Sequence, residues 1–216
     1  MGFAVHVVSH DADFIAAFAA HFQGVPHVSW SVGDVCAVPT QGRAFLSPAN
    51  SIGFMDGGID FAYSRVMFPG VERQVMAKIA SLGRVTALGR PYLPVGSAIV
   101  VPRPREGSAL VSAPTMFLPH DVSDTQNARH AFTAALAATE NPDIHTLVAT
   151  GLCCGYGRMP VDAAAAQMRG AYDRFARGER PPQIAGHDDT CAYLTAPCDS
   201  DLEHDTREVT VKELYL

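Results

Sequence analysis

Ser47-Pro48-Ala49-Asn50-Ser51-Ile52-Gly53-Phe54-Met55-Asp56-Gly57-Gly58-Ile59-Asp60 is the stretch on which the chain turns. The apolar run Ala44-Phe45-Leu46 leads into it as a strand, and Ile59, Ala62, Tyr63 and Val66 leave it at helical spacing. Between them lies a glycine-bearing turn with one carboxamide and two carboxylates. The first N–H groups of a helix have no intrahelical partner and sit at the positive end of its dipole, so such a turn is able to hold an anion.

The 216 residues fit one large domain, taken here as 1–216, with 195–216 as a C-terminal extension. Hydrophobic residues make up 48% and charged residues 18%, the composition of a packed α/β core and not of a disordered chain. The net charge of −6, without a Lys/Arg block, argues against duplex nucleic acid as a partner. No apolar run approaches the ~20 residues of a membrane span, so no membrane partner is expected. The N-terminus reads as a strand, not a leader. Five cysteines, Cys36, Cys153, Cys154, Cys191 and Cys198, are odd in number and irregularly spaced. They fit a reducing, intracellular and cytoplasmic setting better than a disulfide framework, and the lack of a CxxC pair gives no zinc knuckle.

Strands are expected at Phe3–Val8, Val28–Val32, Arg43–Leu46, Ser97–Val101, Ala109–Ala113 and His145–Thr150, with a further short one at Cys191–Leu194 and either a strand or an ordered tail at Glu208–Leu214. Helices fall between them. Asp11 or Asp13 opens one with Phe14, Ile15, Phe18 and Phe22 inward and Gly24 as its stop. Val71, Val75, Ile79 and Leu82 mark another, and Ser123 with Gln126 forms a capping-box pair before a third. Pro160, at a first helical position, opens a fourth. The Pro102–Gly107 connection is too short for a parallel crossover, so a mixed sheet is expected. Helices on both faces make a three-layer α/β/α sandwich.

Read together, these motifs resemble a macro domain, the module that binds ADP-ribose and in many members removes it from modified proteins. Ser47-Pro48-Ala49-Asn50 stands where that family has Asn-Ala-Ala-Asn, and Gly57-Gly58-Ile59-Asp60 closes the pattern ten residues on. Gly33-Asp34-Val35 matches Gly-Asp-Ile, and Pro94-Val95-Gly96-Ser97-Ala98 matches Pro-x-Gly-x-Ala. Cys153-Cys154-Gly155-Tyr156, ending at Met159-Pro160, resembles the Ser-Thr-Gly-Ile loop. Departures are Ser47 for the first Asn, Met55 and Asp56 for two glycines, Phe61 and Ser64 after the Asp, and Gly157 and Arg158 in the second loop.

The resemblance implies a role for each of these residues. Asp34 and Val35 would meet adenine, although a Gly-Asp turn commonly bonds its own backbone. Gly57, Gly58 and Ile59 on one side, and Cys153, Cys154, Gly155 and Tyr156 on the other, would cradle the diphosphate; Phe54 and Tyr156 are candidate walls, and Tyr193 a candidate adenine stack. Asn50 and Asp60 would act at the distal ribose, with Asn50 alternatively a local turn former. A first-turn carboxylate is expected to be a weakened base, so Asp60 would orient water, with the ligand's phosphate as proton acceptor. Asp56 reads as a solvent-facing turn residue, with a ribose hydroxyl as the alternative partner.

The implied activity is hydrolysis of an ADP-ribosyl bond, in a mono-ADP-ribosylated protein or a small derivative such as O-acetyl-ADP-ribose, with deacylase or phosphatase variants. No cofactor and no metal are expected. ADP-ribose or an ADP-ribosylated protein is the expected partner. A non-catalytic ADP-ribose reader is the alternative. A metal- or cysteine-dependent hydrolase remains a third reading, resting on His120-Asp121, His187-Asp188-Asp189 and the Cys153-Cys154 pair, with His145 or His187 as activator.

Overall fold

Valine-rich and alternating runs become strands because their branched side chains pack on both faces of a covered sheet. The computed structural model of the protein describes residues 3–103, 105–139 and 144–179. Within them, β1 (Ala4–Ser9), β2 (Val28–Val32), β3 (Arg43–Ser47), β4 (Ile99–Arg103), β5 (Ser108–Ser112) and β6 (Thr146–Ala149) form one sheet in the order β2-β1-β6-β3-β5-β4. Neighbours are parallel except β4 and β5, joined as the antiparallel hairpin that the short connection requires. The sheet is mixed, as expected.

Helices cover both faces. On one, α1 (Ala12–Phe22), α4 (Asn127–Ala138) and α5 (Val161–Ala176) enclose a core containing Val5, Phe14, Phe18, Phe22, Phe132 and Met168. On the other, α2 (Gly58–Phe61), a π-helical stretch Ala62–Met67 and α3 (Val71–Ser81) pack Tyr63, Phe68, Val75 and Ile79 onto Phe45, Leu110 and Val148. Burying each large side chain contributes about 1.5–3 kcal/mol, so both faces are strongly held. Asp11 caps α1, accepting from the amides of Asp13 and Phe14 at 2.9 and 3.0 Å. No described helix is long and apolar enough to cross a membrane.

Two local expectations are corrected. Ser123 and Gln126 do not form a capping box: α4 starts at Asn127, and Gln126 makes no side-chain cap. Asp121 instead takes the Ser123 amide at 3.0 Å in an Asx-turn, and Gln167 of α5 reaches across to accept from the Arg129 amide at 3.1 Å. A tertiary contact thus satisfies the orphan donor. Pro160 is the residue before α5, not within it, because its ψ of 137° is extended. Val66, within the stretch of helical spacing, is 62% exposed. The Phe68 amide bonds the Tyr63 carbonyl at 2.8 Å, a π turn in which Tyr63 and Phe68 stay buried. The runs at Cys191–Leu194 and Glu208–Leu214 lie outside the described residues, as do Tyr193, Cys198, the His187-Asp188-Asp189 group and the extension 195–216.

Candidate functional site

Parallel strands direct their C-terminal ends to one edge of a sheet, and loops leaving adjacent strands face each other there. β3 and β6 are neighbours in this sheet, as are β3 and β5. The loops after the three strands enclose a cleft of about 230 Å³. Its walls are Pro48–Asn50, Phe54 and Asp56–Asp60 after β3, Thr115, Met116 and Pro119 after β5, and Thr150, Gly151, Cys153 and Gly155–Gly157 after β6.

The first loop is held from within and from behind. Asn50 Oδ1 accepts from the amides of Ile52, Gly53 and Phe54 at 3.1, 3.0 and 3.2 Å, and Nδ2 donates to the Phe54 carbonyl at 3.0 Å. The carboxamide is therefore a turn former, while also lining the cleft. Farther along, the buried Met55 backbone is clamped from the helical layer. Its amide donates to Glu72 Oε1 at 2.9 Å, and its carbonyl accepts from Ser64 Oγ at 2.6 Å. Ser64, at a departure from the family pattern, thus fixes the approach to Gly57 and Gly58.

Asp60 lies at the floor. It is 9% exposed, and its Oδ1 accepts from Ser47 Oγ at 2.5 Å. Ser47 is the last residue of β3 and fully buried, paired in register with Ser112 of β5. Burial raises the Asp60 carboxyl from 3.8 to about 7; the Ser47 hydrogen bond opposes that rise, and the charges of Asp56 and Glu72 add to it. The expectation of a lowered pKa from the helix start is overturned. α2 is four residues long, and desolvation outweighs its small dipole.

The second loop is shaped by Cys153, which takes a left-handed φ of 63°. The Met159 amide returns to the Cys153 carbonyl at 3.0 Å, closing the loop. Thr115 binds the two loops together: its Oγ1 donates to the Pro48 carbonyl at 2.8 Å, and its side chain hydrogen-bonds Cys153. Burial pushes both the Cys153 and Cys154 thiols up to about 12, which keeps them protonated near neutrality. His145 packs against Gly42 at the start of β6, the opposite end of that strand from the cleft. A Cys–His dyad with His145 is thus not assembled. Among the described residues no group of three His, Cys, Asp or Glu side chains is arranged to hold a metal.

Of the residues anticipated from sequence, Asn50, Gly57, Gly58, Ile59, Asp60, Cys153, Gly155 and Tyr156 converge on the cleft. Asp34, Val35 and Cys154 are not among its described walls. Asp34 Oδ1 accepts from the Cys36 amide at 2.8 Å, the local turn bond, and lies 3.9 Å from His10. Cys154 donates to the Leu152 carbonyl at 3.3 Å. Pro160 and the first turn of α5 are not among the described walls of the cleft; Asp162 in that turn pairs with His21 at 2.9 Å. Asp56 is also a wall of the cleft. The residues missed were Ser47 as a partner of Asp60, and Thr115, Met116 and Pro119 after β5. Only Ser47 carried a signal, as the replacement for the family's first Asn.

Solved structures with this arrangement of strands and loops decide the fold. The macrodomain of Mycobacterium tuberculosis DarG superposes with a TM-score of 0.53 at 17% identity, over 67% of this chain and 89% of that one. The Oceanobacillus iheyensis macrodomain with ADP gives 0.55 at 16% identity, over 69% and 76%. The chain has the macrodomain fold. A third structure, Thermosipho africanus DarTG in complex with ADP-ribose, gives 0.52 at 13% identity, over 87% of this chain and 55% of that one. In sequence, an uncharacterized protein of Aquifex aeolicus is 28% identical over 124 residues, 57% of this chain and 68% of its own length. No protein-family model matches.

Proposed function

We propose that this macrodomain binds ADP-ribose in the cleft between the β3 and β6 loops and hydrolyses an ADP-ribosyl bond there. The observation that carries the catalytic part is the buried Asp60 carboxyl, tethered to Ser47 and poised near pH 7 at the cleft floor. A general base works best when its pKa lies near the working pH, and Asp60 meets that condition. In this reading Asp60 takes a proton from the water that attacks the ribose anomeric carbon. Gly57, Gly58 and Gly155 let the backbone approach the diphosphate without a Cβ between, and Tyr156 and Phe54 wall the sugar. Asn50 keeps one Nδ2 hydrogen for a ribose hydroxyl after its bond to Phe54. Asp34 and Val35 belong, in this reading, to an adenine site beyond the cleft walls. That structures of similar fold were solved with ADP and with ADP-ribose supports the ligand class.

The test is release of ADP-ribose from a mono-ADP-ribosylated protein or from O-acetyl-ADP-ribose by the purified chain. Turnover is expected, falling about 100-fold in Asp60→Asn. Tight binding without release would make the protein a reader instead.

A further inference from the structure

From Arg73 to Arg105 the chain carries Arg and Lys but no Asp or Glu, although its net charge is −6. That segment runs through the end of α3 into a loop, 84–92, that folds back on itself. There the Thr86 amide donates to the Arg90 carbonyl at 2.8 Å and the Tyr92 amide to the Arg84 carbonyl at 3.2 Å, with Val85 opposite Pro91. Lys78 and Arg90 are exposed and Arg84 is half-buried. None of the three pairs with a carboxylate among the described residues. In the same short stretch Leu82, Val85 and Leu88 are 44%, 55% and 53% exposed. Exposed apolar side chains set among charges of one sign mark a surface for a partner.

The base of this loop is fixed to the cleft. The Leu93 amide donates to the Ser51 carbonyl at 2.8 Å, and Tyr92 meets Phe117 edge-on with ring centroids 6.2 Å apart. Ser51 follows Asn50, and Phe117 follows Met116, both walls of the cleft. Leu88 at the turn is four residues from Tyr92, a reach of roughly 13 Å in extended chain. Resting on the ADP-ribose reading of the cleft, we propose that the end of α3 and the 84–92 loop bind an acidic, aliphatic segment of the ADP-ribosylated protein, a few residues from its modified side chain. Arg and Lys beside aliphatic groups complement a segment in which carboxylates and leucine-type side chains alternate. Single-stranded nucleic acid is held by aromatic side chains on which bases stack, whereas Leu82, Val85 and Leu88 are aliphatic, so the patch favours protein.

The test measures binding to peptides that carry one ADP-ribose through an uncleavable linkage, flanked by alternating Glu and Leu or by alternating Ser and Leu. At low salt the wild-type chain is expected to bind the Glu–Leu peptide about tenfold more tightly, since each exposed charge pair contributes modestly. That advantage should vanish at about 1 M NaCl, where the Debye length is ~3 Å. The double variant Lys78→Glu, Arg90→Glu changes two surface residues. It should lose the advantage while keeping its affinity for free ADP-ribose within about twofold. Equal affinities for the two peptides, or a preference that survives in the double variant, would overturn the proposal. So would a single-stranded DNA that displaces the unmodified Glu–Leu peptide more strongly than the same peptide unlabelled, which would assign the surface to nucleic acid. Failure of free ADP-ribose to bind would instead remove the reading of the cleft; the unmodified Glu–Leu peptide then reports on the surface alone, and equal binding by wild type and double variant overturns it.

Discussion

Replacing Asp60 by asparagine should make the fold gain stability relative to the wild type as pH rises through neutrality, while removing activity. In the unfolded chain this carboxyl ionises near 3.8; in the fold it does so at about 7. Between those values the folded state holds a proton that the unfolded state has released, so stability falls as pH rises. The contribution is fully present below about pH 4, is lost progressively towards pH 7, and is gone above it. The full difference corresponds to about 4 kcal/mol, and water reaching the cleft-facing side brings the expected effect to roughly 2–4 kcal/mol.

Asp60→Asn carries no such titration, and its carboxamide oxygen still accepts from Ser47. Its buried NH₂ group adds a constant cost of about 1–3 kcal/mol wherever it lacks a partner, so the slope with pH is the diagnostic quantity. Urea unfolding of both proteins from pH 5 to 8.5 should show the variant gaining on the wild type by roughly 2 kcal/mol or more. For a domain of this size each kcal/mol shifts the melting temperature by about 2–4 °C. A difference that stays flat within about 0.5 kcal/mol, or narrows as pH rises, would refute the reasoning.

Ser47→Ala removes the hydrogen bond that opposes the rise of the Asp60 pKa. The midpoint of the pH–rate profile for release should therefore move upward, and an unchanged or lower midpoint would contradict the role of Ser47. A Cβ on Gly157 would lie 2.6 Å from the Cys153 carbonyl oxygen and 2.7 Å from Val122, so Gly157→Ala should cost about 1–3 kcal/mol in unfolding experiments. A Cβ on Gly155 meets nothing within 4 Å. Gly155→Ala should thus leave stability within about 0.5 kcal/mol while lowering ADP-ribose affinity measured by calorimetry, and retained affinity would remove Gly155 from the diphosphate path. With both vicinal thiols held near 12, iodoacetamide at pH 7.5 should leave ADP-ribose release intact, whereas stoichiometric inactivation would revive a cysteine mechanism.

The strand and helix order was legible because period-two and 3.6-residue patterns are local properties. β2 and the start of α3 fall where their apolar spacing placed them. The same holds for the antiparallel β4–β5 hairpin, whose direction follows from a short connection. What was not legible depends on partners distant in the chain. Gln167 supplies an end group for α4 from 38 residues away, which no reading of Ser123 and Gln126 reveals. The π turn at Ala62–Met67 hides behind ordinary helical spacing.

At the site, glycine positions and the Asn50–Asp60 interval were readable because they belong to one continuous loop. The Asp60 pKa was not, because it depends on burial by elements that meet only in the fold. Thr115 and Met116 enter the cleft through strand order alone, since β5 is the neighbour of β3. Asn50 carried both of its readings in sequence, and the turn-forming bonds to residues 52–54 are the ones the structure displays.

The central claim is that the cleft between the β3 and β6 loops is an ADP-ribose site. Calorimetric titration of the full chain with ADP-ribose tests it most directly. Saturable one-to-one binding that is weakened in Gly155→Ala is the predicted result. No binding at millimolar ADP-ribose, by a chain whose unfolding transition is intact, would contradict it.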